Sequence, residues 1–465
     1  MRARIRDQWP TLLVATLAGT FGVALLHVTG LLGAAIAEDD VTGGSDTVAL
    51  MLGIVATVFI VIAVYVSAIV TANTVATVVA GRTRLIALFR LIGSSARAQR
   101  AHIAKEGLLV GLAGAIIGVV AGTGAAFGLE QYAVATDLMP ATEYDYLNVA
   151  VVFPAIAVVL TTWLASWAGS RRVLRVRPIQ AIGNAHEQDR EEIGRRRGRN
   201  VTALVLFVVG VALLVVGVVW GLSDPFGVLI GMVGGIVSFT GIVLAAHLVM
   251  PPVLRLVGRM LGGSPAARLA AENAVRHPER SSRMTIGLVI GVTLVTTFAV
   301  TMESYRAMLL AAQEAHPEVY AGIDDMLNVT VAVFTVLIGF SALIAAIGMV
   351  NTLSLSVMQR TRELGLLRAL GFERSQLRRM IVAESAALTV AATLTGIVLG
   401  FGYGWAGAQS LLGGAQAEPV FVFPGIPWVM FGVLLVSAGL LTFVASIAPA
   451  RRAMRVAPVV ALAVD

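Results

Sequence analysis

The chain has 465 residues, 57% apolar and only 13% charged, with a formal net charge of +7. Soluble domains carry about 25% charged residues, so this composition excludes an ordinary soluble fold and calls for a bilayer as second solvent. There is no cysteine, which rules out disulfides, thiol catalysis and cysteine-ligated metal.

Runs of about 20 apolar residues predict ten spans in chain order: 11–36, 47–77, 107–129, 148–170, 201–221, 227–251, 285–309, 326–352, 383–408 and 426–449. Arg2, Arg4 and Arg6 precede the first, and Ala35-Ile36-Ala37 resembles a cleavage site. The apolar stretch is much longer than the roughly 7–15 residues of a signal-peptide core, so it reads as an uncleaved anchor. The second exceeds what one crossing needs and is expected to tilt or to continue as helix into the cytoplasm. Spans five and six form a hairpin turning at Gly221-Leu222-Ser223-Asp224-Pro225.

Of the 34 basic residues, all but Arg306 fall in alternate connections or at the termini. The positive-inside rule puts those segments, and both termini, in the cytoplasm of a bacterial plasma membrane. The opposite connections are acidic, with Glu38, Asp39, Asp40, Asp46, Glu143, Asp145, Glu314, Glu318, Asp324 and Asp325. Trp220, Trp405 and Trp428 lie near outer span ends, where interfacial aromatics belong. Because the basic residues form short runs between apolar spans, membrane lipids rather than nucleic acid are the expected anionic partners. Lys105 is the sole lysine among them, a bias that suggests a GC-rich, actinobacterial source.

An internal repeat organises the chain. Sliding the sequence so that residue 73 meets 351 aligns 73–122 with 351–400 at 16 of 50 positions. Asn73-Thr74 meets Asn351-Thr352, Arg82-Thr83-Arg84 meets Arg360-Thr361-Arg362, and Glu106 meets Glu384. A second match closes each unit, where Arg171-Arg172-Val173-Leu174-Arg175-Val176-Arg177-Pro178 resembles Arg451-Arg452-Ala453-Met454-Arg455-Val456-Ala457-Pro458. The expected architecture is all-α and polytopic. Two parallel four-helix units, 1–183 and 285–465, flank linkers and a two-span spacer over 184–284. An even number of spans separates the repeats, so they share one orientation.

Between the second and third spans of each unit lies a short cytoplasmic segment. Leu364, Leu367, Leu370 and Leu377 recur there beside arginines, with Gly371 as an interruption; Leu85, Leu88, Leu91 and Gly93 repeat the plan. A helix, a bend and a second helix entering the membrane are expected. Two readings stand: an amphipathic segment lying on headgroups, or a docking helix for a cytoplasmic partner. Duplication at matched depth suits a two-fold partner. Glu106 and Glu384 are expected at helix starts, where a carboxylate complements the dipole. Gly118 and Gly122, like Gly396 and Gly400, have the spacing of close helix packing. His27 and His247 are lone histidines without a second ligand at metal spacing. No phosphate-binding loop and no HExxH occur, so no catalytic, cofactor or metal residue is assigned.

The run Gln359-Arg360-Thr361-Arg362-Glu363-Leu364-Gly365-Leu366-Leu367-Arg368-Ala369-Leu370-Gly371, followed by Glu384, a glycine-rich span and Pro449-Ala450-Arg451-Arg452, resembles the FtsX-like (MacB-type) ABC permease family. The first unit matches more weakly, with Leu85 where the second has Glu363. The resemblance implies pairing with two copies of a cytoplasmic ABC ATPase that holds ATP and Mg. It also implies coupling helices over about 84–100 and 362–378. Their contact residues would be Arg84, Leu88, Arg90 and Leu91 in the first, and Arg362, Glu363, Leu366, Leu367, Arg368 and Leu370 in the second. Two-unit members resembling bacitracin-resistance permeases work as one permease chain with two ATPase subunits. Most relatives carry a large extracytoplasmic domain; here the outer connections are short, so a lipid, lipopeptide or hydrophobic drug handled at the spans is expected, with room for a small extracellular or membrane partner. The functions expected are export, extraction or mechanotransmission. A gradient-driven secondary transporter and a non-transporting signalling scaffold are the alternatives.

Overall fold

The structure, a computed structural model, describes residues 2–37, 46–81, 83–136, 144–146, 148–175, 197–260, 278–315, 371, 373–413, 421–437 and 439–440. Among these, every regular element is helical: α1 (Arg2–Ala37), α2 (Asp46–Gly81), α3 (Thr83–Leu91), α4 (Ala96–Ala135), α5 (Val152–Gly169), α6 (Arg197–Trp220), α7 (Gly227–Met260), α8 (Pro278–Ala315) and α9 (Arg374–Leu412). A short apolar helix, α10, covers Trp428–Ser437. Short 3₁₀ segments flank α5 at Val149–Val151 and Ser170–Arg175.

Seven of these helices are long and apolar enough to cross a membrane, and Ile60–Ala76 of α2 and α10 are shorter apolar stretches. Nine of the ten expected spans thus fall, wholly or in part, on described helices; the eighth, 326–352, lies outside the described residues. The count of ten therefore stays an expectation.

Several helices outrun the bilayer. At 1.5 Å per residue, the 40 residues of α4 reach about 60 Å, roughly twice the hydrocarbon thickness of about 30 Å. The excess of α4 and α9 is at their N-terminal ends, where the sequence is polar.

A first group packs α1 on α2 and α4, and α5 on α2 and α4. A second group packs α8 on α9. The α6–α7 hairpin leans on α9 and α8, and α2 touches α7 and α8 to join the groups. Helix association in lipid depends on close packing rather than on escape from water, and glycine supplies it in the hairpin. A methyl on Gly234 would come within 2.5 Å of the Leu214 backbone, and one on Gly241 within 2.6 Å of that of Phe207. The seam between groups is a fully buried cluster: Phe21 and Leu25 of α1, Met250 and Leu254 of α7, Val292 and Phe298 of α8, Ala391 of α9 and Leu434 of α10. Within it α8 is the most enclosed helix, whereas α6 faces outward along most of its length.

Candidate functional site

The first elbow is built from local backbone chemistry. Helix α3 ends in a Schellman motif, in which Ser94 N donates to Phe89 O at 2.9 Å and Gly93 N to Arg90 O at 3.2 Å. Gly93 sits at φ +100°, a region that only glycine enters cheaply. Ser95 then caps α4, its Oγ accepting from Ala98 N at 3.1 Å. Two residues of α3, Ile86 and Ala87, are buried against Val79 and Val173. The rest of the visible face is apolar yet exposed: Leu88 46%, Phe89 40%, Leu91 49% and Ile92 80%. Arg90 lies half-buried beside them. Arg84 falls within α3. Phe89 and Ile92 were not singled out in the sequence; their signal is that α3 has more apolar residues than one nine-residue helix can bury.

Gly371 repeats the bend at φ +96°. Glu373 caps α9 with a capping box, Glu373 N donating to Gln376 Oε1 at 3.0 Å. Leu377 behind it is fully buried. Arg362, Glu363, Leu366, Leu367, Arg368 and Leu370 lie outside the described residues.

One expectation is corrected. Glu106 and Glu384 do not start helices, because α4 begins at Ala96 and α9 at Arg374. Each carboxylate lies almost three turns in, beyond the reach of a dipole effect confined to the first turn. Apolar composition marks where a membrane begins, not where a helix begins. Glu106 instead lies 3.3 Å from His102 one turn back, and Glu384 is buried.

The four paired glycines sit at two matching crossings. A methyl on Gly118 would lie 2.8 Å from the Gly19 backbone and one on Gly122 2.7 Å from Thr20 O, both in α1. On Gly396 it would lie 2.7 Å from Val292, and on Gly400 2.5 Å from Thr293 O, both in α8. Gly19 and Thr20 therefore stand to α4 as Val292 and Thr293 stand to α9.

The ends of the two groups far from the bends at Gly93 and Gly371 differ. In the first group the buried His27 is bonded on both ring nitrogens, to Thr123 Oγ1 at 3.1 Å and Tyr144 Oη at 3.4 Å. Tyr146 donates to the Glu130 carboxylate, and its ring meets Phe127 and Tyr144 edge to face. Burial raises the phenol pKa values of Tyr144 and Tyr146, with further lift from the Asp145 charge and the Glu130 bond respectively. In the second group Gln409 Oε1 accepts from Val422 N at 2.8 Å, Trp405 Nε1 donates to Val422 O at 3.0 Å, and Ser304 Oγ accepts from Gly425 N at 2.9 Å. His247, the other histidine singled out, is bonded to Asn200 Oδ1 and Leu244 O, both at 3.1 Å. No group of residues able to hold a metal occurs among the described residues.

Two stretches, 57–178 and 335–458, match the FtsX-like permease C-terminal family, together more than half of the sequence. Their starts are separated as Asn73 is from Asn351. The chain is 32% identical over 163 residues to an uncharacterized ABC transporter permease, YknZ, of Bacillus subtilis, covering 35% of this chain and 37% of the relative. It is 34% identical over 122 residues to the pyoverdine export ATP-binding/permease protein PvdT of Pseudomonas syringae, covering 26% of this chain and 17% of the relative. It is 33% identical over 145 residues to the macrolide export ATP-binding/permease protein MacB of Rhodospirillum rubrum, covering 30% and 21%. The matched region thus spans well under half the length of each relative.

Proposed function

Since the chain belongs to the FtsX-like permease family, we propose that it is the membrane subunit of an ATP-driven ABC transporter and that its elbows receive the stroke of a cytoplasmic ATPase. The observation that carries this reading is the exposed apolar face of α3, with Leu88, Phe89, Leu91 and Ile92 turned outward from a helix pinned by Ile86 and Ala87. A lone amphipathic helix would turn such residues toward lipid. Here α4 begins about ten residues before the apolar stretch that starts at Gly107, so α3 stands roughly 15 Å beyond that stretch. A knob at that distance suits a protein socket better than a headgroup layer. Rigid α2 and α4 on either side would carry its displacement into the bundle, as a hinge-and-shear movement requires.

The matched names include ATP-binding/permease proteins, which supports an ATPase partner. Two copies of it, holding ATP and Mg, would engage the elbows at 84–100 and 362–378, with this chain hydrolysing nothing itself. Basic residues at the elbows and at both termini support a cytoplasmic position for that face of a bacterial plasma membrane protein. Short outer connections, such as the turn between α6 and α7, leave little for gripping a large soluble cargo. A hydrophobic molecule met at the spans, or movement passed across the membrane without cargo, fits that shape.

Co-purification with an ABC ATPase, and ATP hydrolysis measured with and without the permease, test the assignment. The paired substitution Leu88→Glu with Leu91→Glu should preserve the folded chain and abolish its effect on hydrolysis. An unchanged effect would overturn the docking role.

A further inference from the structure

At the Arg-rich end of α4 and α5 two guanidinium groups converge on one indole. Arg100 Cζ lies 4.5 Å from the centre of the Trp167 ring, and Arg171 Cζ 5.5 Å from it. Arg100 is tethered to the end of α5, donating to Trp167 O at 3.1 Å and to Ser170 Oγ at 3.5 Å. That leaves most of its five donors unengaged among the described residues. Arg171 is exposed. Among the described residues neither arginine forms an ion pair, and Glu106 on α4 is engaged with His102. An exposed cation–π contact contributes about 0.5–1 kcal/mol, and repulsion between two nearby cations is of the same order. Among the described residues the pair is therefore short of a counter-charge.

The helix surface leading to it is apolar and outward-facing. Leu160, Trp163, Leu164 and Trp167 are 47%, 38%, 52% and 43% exposed. They recur three and four residues apart, on one face of α5. From Leu160 to Arg171 the stripe runs roughly 16 Å, the depth of one leaflet of a hydrocarbon core about 30 Å thick. Charge and apolar surface thus meet at the depth where a phospholipid changes from headgroup to chain.

We propose that this stripe binds one anionic phospholipid, its phosphate between Arg100 and Arg171, its glycerol region against Trp167 and an acyl chain along Leu164 and Leu160. Guanidinium forks match phosphate geometry, and Trp belongs at the headgroup boundary. The repeat lacks the constellation: Arg451 aligns with Arg171, but Ile447 stands four residues before it where Trp167 stands in the first unit. One site per chain follows, on the first unit only.

Native mass spectrometry of the intact chain in detergent, with equimolar phosphatidylglycerol and phosphatidylcholine, tests this. One phosphatidylglycerol should be retained preferentially. Arg171→Gln, at an exposed position without a hydrogen bond among the described residues, should weaken retention roughly fivefold, and Leu160→Gln with Leu164→Gln should weaken it at unchanged charge. Monodisperse elution of each variant shows that the fold is intact. Equal retention of both lipids, or indifference to Arg171→Gln, would overturn the proposal. So would competition by glycerol phosphate as strong as by the whole lipid, which would mark a site for free anions.

Discussion

The two helix groups share a crossing but not a cap. Gly118 and Gly122 press α4 onto Gly19 and Thr20, and Gly396 and Gly400 press α9 onto Val292 and Thr293, in the same register. The segments at the far ends from the elbows are held by different chemistry. Residues 144–146 are tied down by side chains, through His27, Thr123, Glu130 and two tyrosines. Residues 421–427 are tied down at the backbone, by Gln409, Trp405 and Ser304. The crossing must survive any movement of the bundle, so duplication has left it alike in both halves. Side-chain bonds leave the backbone freer to swing away, and a backbone clamp does not. The first group therefore has the more releasable cap.

The largest effect should come from the elbows. If the halves act equally, Leu367→Glu with Leu370→Glu uncouples ATP hydrolysis as fully as the Leu88 and Leu91 pair does, each by more than tenfold. A tenfold difference between the pairs would show one elbow dominating. The crossing gives the next effect. Gly122→Val and Gly400→Val place methyl groups against carbonyl oxygens of the facing helix; each overpacks its crossing, at a cost of about 1–3 kcal/mol, and lowers the thermal midpoint. Gly124→Ala and Gly402→Ala, at positions with nothing within 4 Å, should leave it unchanged or slightly raised. Equal losses at all four sites would mean that the crossings are not tightly packed.

Much of this was legible in the sequence. Apolar runs located nine of the ten expected spans, wholly or in part, on described helices, because lipid demands helices of a fixed minimum length. The repeat was legible because it preserved Arg, Glu, Asn and Gly, which apolar drift alone would not align. Helix ends were not legible: α4 and α9 continue about ten residues past their apolar cores, so Glu106 and Glu384 lie inside helices rather than at their starts. Nor was the cap of the first group. His27 looked solitary because its partners come from far along the chain: the crossing of α1 with α4 brings Thr123 to it, and the segment 144–146 brings Tyr144.

The smallest effect, and the sharpest test of the caps, lies in local opening. Tyr146→Phe deletes the donor to Glu130, a residue only 9% exposed, and leaving a buried acceptor without its partner costs about 1–3 kcal/mol. Ser304→Ala removes a single acceptor from Gly425 N, worth about 0.5–1.5 kcal/mol. Hydrogen exchange should therefore speed at 144–148 in the first variant and hardly change at 421–427 in the second, where Gln409 and Trp405 still hold Val422. The pH dependence has a definite sign. Tyr144 and Tyr146 have phenol pKa values above the ordinary 10.0, so both hydroxyls stay protonated and able to donate from neutral pH to pH 9. Stabilisation by the cap is complete below about pH 10 and is lost as pH climbs through the raised values. Faster exchange at 144–148 already at pH 8, after correction for the intrinsic rate, would mean that something other than the tyrosines holds this end closed.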